Sequence, residues 1–194
     1  MAKRVFIIHG WGGLTSNGWY PWIKGELESR GIEAHLPQMP NTDAPTIKEW
    51  IQFLAKKVGK PDKDTYFVGH SIGCQTILRY LQTIDGKIGG IVFVAGWLPS
   101  IMLGTISDEE KTIAKPWIET SIDFEKVRKL TKNFTAIFSD NDPYVPLENV
   151  KFFKEKLGAK IIIEKNAGHF TEDLDGCMEL PVALNELLKM MKST

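Results

Sequence analysis

The sequence has few cysteines, and their spacing gives them no structural role. Only Cys74 and Cys177 occur, and they lie far apart in the chain. Neither belongs to a CxxC pair or to a Cys/His ligand spacing, so neither a disulfide framework nor a zinc site is predicted. This cysteine usage favours a reduced, cytoplasmic compartment, and we expect no metal and no cofactor.

An excess of charge of either sign is also missing. The 24 Lys and Arg residues match the 24 Asp and Glu residues, which gives a formal net charge of zero. Proteins that bind nucleic acid usually carry a basic excess or a basic stripe. Nucleic acid is therefore not an expected partner.

No long uninterrupted apolar run is present. The segment from Ile88 to Ser107 has no charged residue, but two adjacent glycines and Pro99 interrupt it. A helix that crosses a membrane needs about 20 predominantly apolar residues. This segment is therefore predicted to form a buried strand followed by a loop, and no membrane association is expected.

Short apolar runs alternate with amphipathic stretches along the chain. Strands are predicted at 5–8, 66–68, 91–94, 136–138 and 161–163, with a weaker one at 32–36. Helices are predicted after a capping box at Thr46 to about residue 58, from 72 to about 81, over 147–157 and over 182–191. Strands alternating with helices predict an α/β fold with a six-stranded, mostly parallel sheet and helices on both faces. The length suits a single domain over residues 1–194.

A GxSxG motif follows one of these strands. Gly69-His70-Ser71-Ile72-Gly73 comes after the apolar run at 66–68 and before an amphipathic helix. This strand, turn and helix context is that of a nucleophile elbow, in which a strained turn presents the serine hydroxyl at the edge of the sheet. The alternative is a turn that merely contains glycine and serine.

An elbow serine needs a histidine as base, and His169 is the best placed of the four histidines. It follows the last strand in a loop with glycine, in the chain order Ser, acid, His that this architecture requires. His70 lies inside the elbow, His35 in the second strand and His9 before the first glycine-rich loop. We expect these three histidines to be structural.

The acid should come from the loop after the fifth strand, where two aspartates are available. Asp142 is favoured because Pro143 and Pro146 stiffen its turn before the next helix. Asp140 is expected to accept backbone N–H groups as a turn residue. The alternative is that both aspartates only form the turn.

The loop His9-Gly10-Trp11-Gly12-Gly13 follows the first strand and predicts an oxyanion hole. The N–H group of Ile72, after the serine, and that of Trp11 are the expected donors, with Gly12 as second choice. The competing interpretation is a dinucleotide-binding G-x-G-x-x-G motif. It fails because Thr15 occupies the third glycine position, and no P-loop occurs either.

With these residues, the chain resembles the small α/β-hydrolase family of serine hydrolases that includes retinoblastoma-binding protein nine. The resemblance covers nearly the whole length and depends on six segments: 18–24, 38–41, 69–73, 115–117, 142–146 and 168–170. It implies an α/β-hydrolase fold with a short or absent cap, and a catalytic triad of Ser71, Asp142 and His169. The first loop and the segments 71–74 and 89–91 are closer to the family's bacterial branch. An L-x-C-x-E motif is absent, so a retinoblastoma-type partner is not implied.

The expected activity is hydrolysis of a small ester through an acyl-enzyme. On sites that the resemblance places near the cleft, Trp11, Trp97 and Trp117 are candidate substrate contacts, with His70 beside the serine. The alternative for several tryptophans is packing of the first helix and of a small cap over 98–122. A small acyl substrate is the expected partner. The alternatives are a thioesterase or amidase of the same fold, or a hydrolase-fold binding protein with low activity.

Overall fold

A six-stranded sheet forms the centre of the computed structural model, which describes residues 2–98 and 105–192. All strand pairs are parallel and the strand order is β2-β1-β3-β4-β5-β6. The strands are β1 (Arg4–Ile8), β2 (Glu33–His35), β3 (Thr65–His70), β4 (Gly90–Val94), β5 (Phe134–Ser139) and β6 (Lys160–Glu164). The predicted α/β sheet is thus confirmed, and every described strand is parallel.

Helices connect the strands and cover both faces of the sheet. They are α1 (Trp19–Glu28), α2 (Ile47–Val58), α3 (Ile72–Leu81), α4 (Asp108–Glu119), α5 (Phe124–Leu130), α6 (Glu148–Phe152), α7 (Glu172–Asp175) and α8 (Pro181–Lys192). A π-helical turn, Phe153–Leu157, continues α6. Among residues 2–98 and 105–192, no helix combines the length and apolar character that a bilayer crossing requires.

Alternation along the strands creates two separate cores. In β1, Phe6 and Ile8 belong to the core under α2, α3 and α5, whereas Val5 and Ile7 belong to the core under α1 and α8. Successive side chains of a strand point to opposite faces, so a continuous apolar run serves both cores at once. This explains why the predicted strands contain almost no polar residues.

The predicted helices α2, α3 and α8 are confirmed, and the one predicted over 147–157 is divided into α6 and the π-helical turn. The Thr46 hydroxyl accepts the Glu49 N–H at 3.3 Å, as the capping motif predicts. Helix α4 lies within the segment 98–122 that was predicted to be a small cap, and α5 follows that segment. Neither was predicted from the sequence to be a helix.

The strand order reverses between β1 and β3. β1 leads to β2 on one side, whereas β3, β4, β5 and β6 add in order on the other side. A crevice opens at the carboxyl ends of the strands at such a reversal, and ligands bind there in open α/β sheets. The loop after β1 and the turn after β3 both lie at this crevice.

Candidate active site

The turn between β3 and α3 holds Ser71 in a strained backbone conformation. Its φ is 51° and its ψ is −120°, a region that side-chain-bearing residues rarely adopt. The Ser71 N–H donates to the Val94 carbonyl at 2.9 Å, which ties the turn to the end of β4. Only 8% of the residue is exposed, so the serine is presented from a fixed and largely buried position.

The glycines on either side of Ser71 permit close packing of this turn. A Cβ atom on Gly73 would lie 2.4 Å from the carbonyl oxygen of Ile8, at the end of β1. A Cβ atom on Gly69 would lie 2.9 Å from the backbone nitrogen of Cys74. Both distances are shorter than any normal contact, so the turn can approach β1 and close on itself only with glycine at these positions.

His169 and Asp142 form a buried pair at the ends of β6 and β5. The distance from His169 Nδ1 to Asp142 Oδ2 is 2.8 Å, and the two side chains are 9% and 2% exposed. The other Asp142 oxygen accepts the N–H groups of Tyr144 and Val145 at 2.8 and 2.9 Å. The carboxylate is therefore held by its own turn and is aimed at the imidazole.

Asp140 accepts a backbone N–H group, as predicted for a turn residue at this position. Its Oδ1 accepts the Asn166 N–H at 2.8 Å, and its own N–H donates to the Glu164 carbonyl. Asp140 therefore joins the loop after β5 to the loop after β6. It is exposed, and it is Asp142 that pairs with the histidine.

The loop that carries His169 is held by a carboxylate that the sequence analysis overlooked. Asp175 Oδ2 accepts the N–H of His169 at 3.0 Å and both the N–H and the hydroxyl of Thr171 at 2.9 Å. In the sequence alone, the segment with Glu172, Asp173 and Asp175 is most simply interpreted as a solvated loop. The contacts of Asp175 contradict that interpretation, as does the bond from the Gly18 N–H to Glu172 at 2.8 Å.

A cavity of about 730 Å³ lies above these elements, and both Ser71 and His169 line it. The Ser71 hydroxyl and His169 Nε2 form no hydrogen bond with each other or with any residue in the described part of the chain. Hydrogen bonds between catalytic groups are often long before substrate binds. The two groups thus share one cavity, and each has its hydrogen-bonding capacity free.

The backbone N–H groups of the loop after β1 are mostly occupied. The Gly10 N–H donates to the Tyr20 hydroxyl, that of Gly12 to the Thr42 carbonyl and that of Gly13 to the Gly10 carbonyl. Within the described ranges, the N–H groups of Trp11 and Ile72 have no acceptor. These are the two groups that the sequence singled out, and Gly12, the second choice, is already engaged.

The candidate substrate contacts divide into two groups. Trp11 and Trp97 line the cavity, together with Trp19 and Tyr144. Trp117 does not, and its proposed contact with substrate is a mistaken prediction. Its indole is 1% exposed, donates to the Pro45 carbonyl and packs edge-on against Trp50. It fastens α4 to α2, which is the packing role left open for the tryptophans.

His70 reaches the cavity wall, but both of its ring nitrogens are engaged. Nδ1 lies 2.5 Å from the Tyr20 hydroxyl and Nε2 lies 2.8 Å from the His169 carbonyl oxygen. Burial lowers the pKa of His70 to about 3, and the neighbouring His169 acts in the same direction. His70 is therefore a neutral structural residue with no free polar atom for a ligand.

The charged residues around the cavity are all acidic. The carboxylates on its lining belong to Asp43, Glu109, Glu110, Glu172 and Asp173, and no Lys or Arg of residues 2–98 and 105–192 lines it. Residues 99–104 contain no ionisable side chain. These carboxylates do not gather into a metal site, since no described group of three His, Cys, Asp or Glu residues is arranged to hold an ion.

Comparison with known proteins gives a consistent result. The family described as serine hydrolase matches residues 5–188. The protein YdeN of Bacillus subtilis (strain 168) is 32% identical over 189 residues, which covers 96% of this chain and 95% of YdeN. The serine hydrolase RBBP9 of Rattus norvegicus is 23% identical, over 99% of this chain and 95% of the rat protein.

Solved structures extend the comparison to the fold. The crystal structure of the B. subtilis ydeN product matches with a TM-score of 0.89 and 30% identity, over 98% of this chain and 100% of that one. Est1E of Butyrivibrio proteoclasticus, in a structure with bound ferulic acid, matches with a TM-score of 0.76 over 98% of this chain and 90% of Est1E. At 16% identity, the match to Est1E is a likeness of fold alone.

Proposed function

Because the chain belongs to the serine hydrolase family and has the α/β-hydrolase fold, we propose that it cleaves small carboxylic esters through a covalent acyl-enzyme. In this proposal the turn at Ser71 is a nucleophile elbow, and Ser71, His169 and Asp142 form the catalytic triad. The observation that carries the proposal is the 2.8 Å pair of His169 with a buried Asp142, together with the cavity that His169 and Ser71 both line. A scaffold that only binds ligands has no need for such an arrangement.

The proposed reaction has two halves, formation of the acyl-enzyme and its hydrolysis, and the same three side chains act in both. His169 Nε2 takes the hydroxyl proton as Ser71 Oγ bonds to the carbonyl carbon, and then gives that proton to the departing alcohol as the ester C–O bond breaks. Water then gives a proton to the same nitrogen and attacks the acyl carbon. As the bond from that carbon to Ser71 Oγ breaks, His169 returns the proton to Oγ and the acid leaves. Asp142 keeps the His169 proton on Nδ1 and stabilises the imidazolium that forms twice in the cycle.

The negative oxygen of the tetrahedral intermediate requires donors that are already in position. The N–H groups of Trp11 and Ile72 are proposed for this task, since neither has an acceptor among the described residues. The N-terminus of α3 begins at Ile72 and adds its positive dipole end at the same point.

The character of the cavity favours a compact, uncharged acyl group. Trp11, Trp97 and Tyr144 give it aromatic walls, and the ring of Tyr144 packs edge-on against His169 with 5.1 Å between centroids. Aromatic walls suit an apolar acyl chain, and the carboxylates elsewhere on the lining disfavour an anionic one.

The alternative of a thioesterase acting on a phosphorylated carrier is less favourable. Phosphate groups are usually bound by Arg, Lys or free helix N-termini. The described lining offers carboxylates instead, and the N-terminus of α4 is already capped by Ser107 and Glu110. These carboxylates would repel a phosphate group, whereas a neutral ester is not repelled. An amide of an uncharged amine is the second candidate substrate.

A series of p-nitrophenyl esters from acetate to octanoate tests the proposal directly. We expect turnover of the short esters and a loss of about 10⁴-fold or more in kcat for Ser71→Ala. Hydrolysis of no ester or amide by the folded protein, or equal rates for the wild type and the variant, would leave a binding role as the better account.

A further inference from the structure

We propose that Tyr20 and His70 are positioning residues that hold the proposed oxyanion loop and the proposed base in register. This inference rests on the proposed function, and concerns a buried chain of hydrogen bonds that the triad does not include. The chain runs from the Gly10 N–H to the Tyr20 hydroxyl at 3.2 Å and from there to His70 Nδ1 at 2.5 Å. It ends at the His169 carbonyl oxygen, 2.8 Å from His70 Nε2.

The chemistry of the two ends, together with the neutral state of His70, fixes the direction of every bond. A backbone N–H can only donate, so the Tyr20 oxygen accepts a hydrogen bond from Gly10. The Tyr20 hydroxyl proton is then donated to His70 Nδ1. A carbonyl oxygen can only accept, so His70 Nε2 carries the ring proton and donates to His169. Because the ring of the buried His70 is neutral, its single proton lies on Nε2 and Nδ1 accepts the Tyr20 hydroxyl.

Burial supports this assignment of protons. Tyr20 is 6% exposed and His70 is 2% exposed, and the Trp19 indole packs edge-on against His70 with 5.9 Å between centroids. Burial lowers the pKa of His70 and raises that of Tyr20, so both side chains stay neutral over the physiological range. Such a chain, shielded from water, holds its geometry more firmly than an exposed one.

At the Gly10 end, the chain of hydrogen bonds determines which N–H group of the loop after β1 is available to the cavity. Tyr20 occupies the Gly10 N–H, and Gly12 and Gly13 donate to backbone carbonyls. Trp11 is thereby left as the N–H group of this loop that can meet an oxyanion. Without the Tyr20 hydroxyl, the peptide groups around Trp11 lose one of their fixed points.

At the other end, the chain restrains the backbone of His169. Its carbonyl accepts from His70 and its N–H donates to Asp175, so both polar backbone groups are held. The next residue, Phe170, has a positive φ of 58°, and its carbonyl accepts the Trp19 indole N–H at 3.1 Å. Two residues outside the proposed triad thus restrain the His169 loop. Trp19 bonds to it directly, and Tyr20 acts through His70.

Tyr20→Phe is the direct test, because it removes one hydroxyl and keeps the ring. Tyr80→Phe is the matched control, since the Tyr80 hydroxyl is buried, has no hydrogen-bond partner among residues 2–98 and 105–192, and lies outside the cavity lining. We expect kcat for a short p-nitrophenyl ester to fall about tenfold in Tyr20→Phe, less than the cost of deleting an oxyanion donor outright. KM should stay within about twofold, since the positioned groups act in the transition state.

A second pair of variants guards against simple loss of folding. His70→Gln keeps one acceptor and one donor, whereas His70→Leu has neither, so Gln should retain more kcat than Leu at similar thermal stability. Affinity for a boronic acid inhibitor, whose tetrahedral adduct needs the same donors, should fall in parallel with kcat in Tyr20→Phe.

The outcomes separate this inference from the proposed function. An inactive wild-type protein would overturn the proposed function. An active wild type, with Tyr20→Phe equal to it in kcat and in boronic acid affinity, would overturn only the positioning role. A variant that is less stable to heat but keeps full kcat well below its Tm would also overturn it, since the chain would then serve folding alone.

Discussion

The floor and one wall of the cavity are built in opposite ways. The proposed catalytic floor, formed by Ser71 and His169 with Asp142 hydrogen-bonded to His169, is buried and is held by the sheet and its loops. The helical wall, formed by Ile106, Ser107, Glu109, Glu110 and Ile113 around the start of α4, is largely exposed. The capping box of Ser107 and Glu110 orders the polar groups of these two residues.

We infer from this difference that the floor carries out the reaction and the helical wall selects among substrates. Groups that move protons must hold their geometry to a fraction of an ångström, and the floor provides this through hydrogen bonds to backbone. A wall that only contacts substrate can be exposed and can act through charge and shape. We therefore expect changes in the floor to alter kcat and changes in the wall to alter preference among substrates.

The largest effect should come from Asp142→Asn. It removes the charge that stabilises the His169 imidazolium and favours the wrong tautomer, so kcat should fall by about 10⁴-fold. Asp140→Asn is the matched control, because Asp140 lies two residues away and bonds only to backbone. Steady-state kinetics on one ester measure both, and a greater loss in Asp140→Asn would move the acid to that residue.

A smaller loss of kcat is expected when Asp175, which holds the His169 loop, is replaced. Asp175→Ala removes the acceptor for the His169 N–H and for Thr171, so the imidazole should lose its position and kcat should fall by about 10- to 100-fold. Glu179→Ala, an exposed carboxylate nearby in the chain, should behave like the wild type. Equal kcat in both variants would show that Asp142 alone orients the base.

Stability should respond to pH through His70. Burial lowers its pKa to about 3 from 6.5, so the unfolded chain binds a proton at pH values where the folded protein does not. The contribution to the free energy of unfolding is therefore complete above about pH 6.5 and declines by about 1.4 kcal/mol per pH unit towards pH 3.

Urea unfolding of the wild type and of His70→Gln over this range measures that contribution. The variant should lose stability less steeply on acidification. Some slope should remain, because burial also lowers the pKa of His9. Identical slopes for the two proteins would contradict the assignment of a neutral, buried His70.

The smallest effect should come from the helical wall. Glu109→Gln removes one exposed carboxylate, so kcat/KM for an anionic ester should rise about two- to threefold relative to a cationic ester of equal size. The change should vanish at high salt, since exposed charges are screened. Glu119→Gln, on the same helix but outside the cavity lining, is the control, and a similar change there would show that the position of the charge is unimportant.

The floor was largely predictable from the sequence because its features are local. Continuous apolar runs predicted the strands, and the GxSxG context predicted the turn at Ser71. The pairing of Asp142 with His169 followed from chain order and from the prolines after Asp142. The strand, turn and proline signals each lie within a few residues of the group that they describe, and the chain order Ser, acid, His connected those groups.

The supports of the floor were not predictable, because they connect distant segments. Asp175 closes on the His169 loop, and Tyr20 meets His70 across 50 positions of sequence. A carboxylate in a polar segment looks solvated until the backbone N–H groups around it are known. The aromatic motif at 18–24 carried the only signal for Tyr20, and that signal gave no partner.

The helical wall was predicted least well. The segment 98–122 was expected to form a small cap, and α4 occupies much of it, while residues 99–104 lie outside the described part. Trp117 looked like a substrate contact because it is a tryptophan near a predicted cleft. Its burial against Trp50, 67 positions earlier in the chain, depends on how α4 packs on α2.

Ser71 is proposed to be an activated nucleophile on the cavity floor. Intact mass spectrometry of the wild type and of Ser71→Ala after incubation with a fluorophosphonate tests it most directly, because the reagent needs no knowledge of the substrate. We predict one phosphonyl adduct on the wild type and none on the variant. An adduct on both proteins, or on neither while both are folded, would contradict the claim.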